Sequence, residues 1–121
     1  MPCVLIVEAN EELGHCWAMH LQREGLRAVR AASNDEATEA LRQDRYDAIV
    51  LDLGLPGDSA IAVADFASYR QPEARVIFVT GGHAYADGSI FALSGNASAC
   101  LNTRVPPEDL AAIVSYHASV R

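Results

Sequence analysis

Three apolar runs in this chain each end on a polar side chain able to do chemistry: VLIV stops at Glu8, AIVL at Asp52 and VIFV at Thr80. Two carboxylates and a hydroxyl gathered in one place suit a divalent cation and a phosphoryl group. A carboxylate serves as a metal ligand, or as a nucleophile once positive charge neutralises the incoming oxygens. The runs are short, continuous and rich in Val, Ile and Leu, which is the pattern of strands buried on both faces of a parallel sheet. Open sheets of that kind bind ligands at the carboxyl edge, where the loop amides also point. The chemistry therefore depends on whether the three strands lie side by side.

The elements that position these residues alternate along the chain. Cys3 to Val7 reads as the first strand. Glu11 to Glu24 reads as a helix with Leu13, Trp17 and Leu21 on its inner face, closed by Gly25 at a left-handed cap. Leu26 to Ala31 is a second strand, placed at an edge because Arg27 and Arg30 interrupt it. Ser33 or Asn34 caps a helix from Asp35 to Gln43. Tyr46 to Leu51 is the third strand, followed by a loop with Gly54, Pro56 and Gly57. Asp58 or Ser59 then caps an alanine-rich helix reaching Tyr69. That helix is nearly apolar all round, so it either lies tight on the sheet or offers one face to a partner. Arg75 to Val79 is the fourth strand. His83 to Ser94 is a weak helix containing Gly88 and Ser89, and Ser98 to Asn102 is the fifth strand. Pro106 and Pro107 start a last helix with Leu110, Ile113, Val114 and His117 inward.

Five strands alternating with five helices predict an α/β, flavodoxin-like, doubly wound parallel sheet in the order 2-1-3-4-5. That order puts strands one, three and four together, and Glu8, Asp52 and Thr80 converge. The 121 residues suit one domain spanning 1–121, with a core large enough to need no disulfide or metal staple.

Composition removes several function classes. The formal net charge is −7 and all nine basic residues are arginines without a stripe, which is the wrong sign for direct nucleic-acid binding. No apolar run approaches the roughly 20 residues of a membrane span. The first strand begins almost at the N-terminus, which leaves no room for a secretion signal and predicts a cytoplasmic protein. Cys3, Cys16 and Cys100 show no CxxC spacing and are expected as buried, reduced thiols; no Cys/His pattern predicts zinc. Neither GxSxG, HExxH nor GxxxxGK occurs, so turnover on other substrates is not expected.

The segments VLIVEANEEL, YDAIVLDLGLPG, ARVIFVTGG and SACLNTRVPPEDL together resemble the receiver domain of bacterial two-component response regulators, over essentially the whole chain. The second segment is the most specific: an acid closing a buried strand, then Gly54 and a Leu-Pro-Gly turn. The resemblance implies that Asp52 is the phosphoacceptor, that Thr80 is the hydroxyl sensing the phosphoryl group, and that Mg²⁺ is held by Glu8, Asp52 and the Gly54 carbonyl. It implies a sensor histidine kinase or phosphotransfer protein as donor and a downstream protein partner, contacted through the segment 83–94, the fifth strand and the last helix. A homodimer is left open.

The chain also departs from the family pattern. Ala9 stands where a coordinating acid is expected and Thr103 where the family has a lysine, which this chain lacks altogether. Losing one charge-assisted bond to the phosphoryl group costs roughly 1.5–3 kcal/mol, about one to two powers of ten in rate or occupancy. Cys100 stands where the family has a switching aromatic ring. Glu8 is one methylene longer than aspartate and is expected to reach inward in place of the missing acid, with Asn10 a poorer substitute at the helix start. Two readings follow: an atypical receiver accepting phosphate on Asp52 with reduced efficiency, or a phosphorylation-independent pseudo-receiver acting as a docking module.

Overall fold

In the computed structural model, residues 1–56, 59–81 and 96–119 are described. Strands β1 (Cys3–Val7), β2 (Arg27–Ala31), β3 (Ala48–Asp52), β4 (Arg75–Thr80) and β5 (Ala97–Asn102) pair in parallel in the order β2-β1-β3-β4-β5. The helices among the described residues are α1 (Glu11–Arg23), α2 (Asn34–Gln43), α3 (Ser59–Arg70) and α4 (Pro107–Ser119). The expected sheet order is thus the observed one. The weak helix expected at His83–Ser94 lies outside the described residues, as do Gly57 and Asp58.

Strand alternation divides the core in two. Leu5, Val7, Ile49, Leu51, Val76 and Phe78 face α2 and α3, whereas Val4, Ile6, Val50, Ile77 and Val79 face α1 and α4. The central strands are buried on both faces, as their unbroken apolar runs require. The alanine-rich α3 lies tight on the sheet through Ala60, Val63, Ala64 and Ala67.

Local signals explain where the helices begin and end. Asn10 Oδ1 accepts the Leu13 amide at 3.1 Å and caps α1. Gly25 (φ 84°) closes it: the Gly25 amide donates to the Gln22 carbonyl and the Leu26 amide to that of Leu21, a Schellman arrangement. Of the two expected caps for α2, Ser33 is the one used, its Oγ accepting the Glu36 amide at 3.2 Å.

Several boundaries and burials differ from expectation. β3 starts at Ala48 because the Tyr46 amide donates instead to the Gln71 side chain at 2.8 Å; it ends on Asp52, which pairs with Val79. On α4 the fully buried positions are Leu110, Ala111, Val114 and Ala118, while Ile113 and His117 are half-buried, since the small alanines allow the helix to settle closer. All three thiols are half-buried rather than buried. Cys3 opens a strand, Cys16 lies between the inner and outer faces of α1, and Cys100 is on the outer strand β5.

Candidate functional site

The carboxyl edge of the sheet brings the expected residues to one level. β1 and β3 pair Val7 with Leu51, so Glu8 and Asp52 follow side by side; β3 and β4 pair Asp52 with Val79, which puts Thr80 one residue further out. Thr80 is in register with Asn102, and the Thr103 amide donates to the Thr80 carbonyl at 3.1 Å. By alternation Glu8 and Asp52 continue the face of Ile6 and Val50, under the start of α1.

Glu8 is the centre of the arrangement. Its backbone amide extends the pairing to the Ala31 carbonyl of β2 at 3.0 Å, and its side chain is only 7% exposed. Oε1 accepts the Asn10 amide at 3.0 Å, while Oε2 is buried without a hydrogen-bond partner among the described residues. Burial is the main force pushing this carboxyl above its ordinary range, to about 7. The Asn10 amide opposes the shift, while the neighbouring Asp52 adds to it as a hydrogen-bond acceptor and as a like charge. With both groups ionised, two acceptors meet, and a proton on Glu8, a bridging water or a cation can fill the position between them.

Asp52 is half-buried and its Oδ1 accepts the Gly54 amide at 2.9 Å. A methyl group on Gly54 would approach Oδ1 to 3.2 Å and Oδ2 to 3.4 Å, so a side chain there would press on the carboxylate. The Leu53 amide, which donates to the Val79 carbonyl at 2.8 Å, carries the β3–β4 pairing one step beyond Asp52. Asn10, the poorer substitute ligand, has its Oδ1 engaged in capping α1. Ala9 is exposed and offers no side-chain ligand. Thr103 Oγ1 sits 3.1 Å from the point a Cβ on Gly81 would occupy, so the hydroxyl packs against the start of the loop after β4. Cys100 packs on the α2/α3 side of the core, where burial raises its pKa.

Among the described residues no group of three or more His, Cys, Asp and Glu side chains could hold a metal ion. The donor set is the Glu8–Asp52 pair, and an orphaned buried carboxylate oxygen facing a second carboxylate fits a Mg²⁺ ion that needs one or two carboxylates and keeps several waters. His83, near the expected mouth of the site, lies outside the described residues. Two neighbours of Glu8 were not singled out in the sequence as site residues: Gly14 on α1 and Arg30 on β2. A Cβ built on Gly14 would lie 3.7 Å from Glu8 Cβ and 3.7 Å from Arg30 Cδ. The one sequence signal for Arg30 was its interruption of an otherwise apolar strand.

Comparison with known proteins agrees with this fold. Residues 4–115 match the family described as the response regulator receiver domain. The transcriptional regulatory protein AfsQ1 of Streptomyces coelicolor is 39% identical over 57 residues, which are 47% of this chain and 25% of that protein. The aligned part thus spans about a quarter of that relative. A CheY-like receiver domain protein from Methanospirillum hungatei superposes with a TM-score of 0.86 at 24% identity, covering 98% of this chain and 94% of that one. A response regulator from Burkholderia pseudomallei, solved with a phosphorylated aspartic acid, a calcium ion and citrate, superposes with a TM-score of 0.82 at 26% identity, covering 98% of this chain and 69% of that one. Among the described residues no helix is long and apolar enough to cross a membrane.

Proposed function

Because this chain belongs to the response regulator receiver domain family of two-component signalling, we propose that its 121 residues form one receiver that accepts a phosphoryl group on Asp52 with reduced efficiency. The observation that carries this reading is the Glu8–Asp52 carboxyl pair at the carboxyl edge of the sheet, with Glu8 Oε2 buried and unpartnered. Asp52 is the nucleophile: one of its carboxylate oxygens forms the new bond to phosphorus while the bond to the donor's imidazole nitrogen breaks, and the imidazole leaves with its electron pair and is then protonated. The Gly54 amide orients the carboxylate by holding Oδ1. Glu8, Asp52 and the Gly54 carbonyl would hold Mg²⁺, which when bound neutralises charge on the phosphoryl oxygens. Thr80 supplies the hydroxyl that meets the phosphoryl group. Thr103, at the lysine position, supplies no ammonium, and this accounts for the reduced efficiency. The donor is a sensor histidine kinase or phosphotransfer protein. Output passes to a downstream protein partner by contact, from a protein of the cytoplasm.

Intact mass after incubation with Mg²⁺ and acetyl phosphate tests the reading. A phosphoryl adduct in the parent and none in Asp52→Ala is expected, and no adduct from either this donor or a histidine kinase would sink it. A second reading, a docking module independent of phosphorylation, is favoured by Ala9 at a ligand position and by Cys100 packed into the α2/α3 core where a ring would switch. Unchanged amide spectra on adding Mg²⁺ with beryllofluoride would select it.

A further inference from the structure

Glu8 Oε2 has no partner, and beside Glu8 lies a cavity of about 140 Å³ lined by Glu8, Glu11, Gly14, Arg30 and Glu36 among others. Among the described residues, Arg30 is the one cationic side chain in that lining. Its register partner on β1 is Ile6, two residues before Glu8 on the same face, and its stem passes the bare Cα of Gly14 at the same height as the Glu8 side chain. Among the described residues the guanidinium makes one long hydrogen bond, Nη1 to the Glu11 carbonyl at 3.3 Å, which leaves most of its donors for other acceptors or water. Glycine at position 14 keeps the space between the two side chains open. Arg30 is exposed at the rim of this cavity, and the buried acid across it carries an oxygen with no hydrogen-bond partner among the described residues.

We propose that Arg30 is a positioning residue for the acidic pair: drawn from the Glu11 carbonyl toward an ionised Glu8 across this cavity, it competes with a divalent ion for that carboxylate. The competition rests on the reading of Glu8 as a metal ligand given above; the pairing with Glu8 does not. Removing the positive charge should therefore tighten Mg²⁺, by roughly fivefold for a unit charge acting on a doubly charged ion through water at this range. Restoring it as lysine should return the parent affinity.

The test uses the full chain as parent, Arg30→Gln, Arg30→Lys, Glu8→Gln and the Glu8→Gln/Arg30→Gln double variant. Mg²⁺ affinity is read by calorimetry and metal-free stability by urea unfolding at pH 8. Tighter Mg²⁺ in Arg30→Gln, parent affinity in Arg30→Lys, and a smaller urea-midpoint shift from Arg30→Gln when Glu8 is already glutamine are expected. Additive midpoint shifts, or unchanged Mg²⁺ affinity in Arg30→Gln beside a parent that binds the ion, would overturn the proposal. If none of the chains binds Mg²⁺, the metal reading of the site fails, and the double-variant cycle alone decides whether Arg30 answers Glu8.

Discussion

The two edges of the sheet are built on opposite terms. At the amino edge polar groups are matched: Asp47 Oδ2 accepts the Cys3 amide at 2.8 Å, and Gln71 accepts the Tyr46 amide while donating to the Leu41 and Asp44 carbonyls at 2.9 and 2.7 Å. Asn96 donates to the Ala74 carbonyl at 2.8 Å and accepts from Ser68 at the same distance. At the carboxyl edge a buried carboxylate oxygen lies beside another carboxylate and has no donor among the described residues. The first edge uses polar atoms to close the fold, and each bond there adds stability. The second leaves an electrostatic deficit that something else must fill, and an unmet deficit in a family site is where binding free energy can act. Among the described residues the contrast has one exception, since the Tyr46 hydroxyl near the amino edge is buried without a partner.

Breaking the closed edge should have the largest effect. Gln71→Leu removes three side-chain hydrogen bonds at once and leaves the Tyr46 amide and two carbonyls short of partners, for an expected loss of about 2–4 kcal/mol in urea unfolding. Labelling of Asp52 in the protein that remains folded should be unchanged, because the lesion lies at the opposite edge. Reduced labelling would show that the two edges are not independent.

The open edge should reveal itself through pH. Glu8 titrates at about 7 in the folded chain, whereas an unfolded glutamate titrates near pH 4.3. Between those values the native protein binds more protons than the unfolded one, so stability falls as pH rises through that window and the loss is complete above about pH 7. The drop from Glu8 is on the order of 3–4 kcal/mol. Glu8→Gln should flatten it, as should saturating Mg²⁺ at the upper end. A slope unchanged by Glu8→Gln would place the proton elsewhere.

Smaller effects sharpen the comparison. Thr103→Lys should raise the rate of Asp52 labelling by acetyl phosphate about tenfold, the worth of one charge-assisted bond. Equal rates would mean that the position has lost its geometry as well as its charge. Gly14→Ala should stabilise α1 by about 0.5–1 kcal/mol, since the new methyl meets Glu8 and Arg30 at the ordinary contact distances of 3.7–3.9 Å. Thermal unfolding that moves the other way would show that the cavity beside Glu8 resists narrowing.

Much of the architecture was legible because its signals are local. Unbroken apolar runs mark strands buried on both faces, Gly25 marks the end of α1, and the alternation of strand and helix leaves few topologies. The type and level of Glu8, Asp52 and Thr80 followed from where those runs stop. Boundaries held by distant side chains were less visible: nothing near Tyr46 announces that Gln71, 25 residues away, takes its amide and shortens β3. The depth of the cysteines was misread for a related reason. A small sulfur residue is read as core from its type, yet β5 is an outer strand and its position in the sheet decides exposure.

The sequence by itself determined the sheet order, the carboxyl edge as the place for chemistry, and the residues missing from the family pattern, because periodicity and residue type are properties of the chain alone. Only the tertiary structure decided that Glu8 Oε2 has no partner, that Asp52 makes its burial worse, and that Arg30 lies across a small cavity from it. These are relations between strands separated by whole helices, and partnership in a buried site depends on distances that no local pattern encodes.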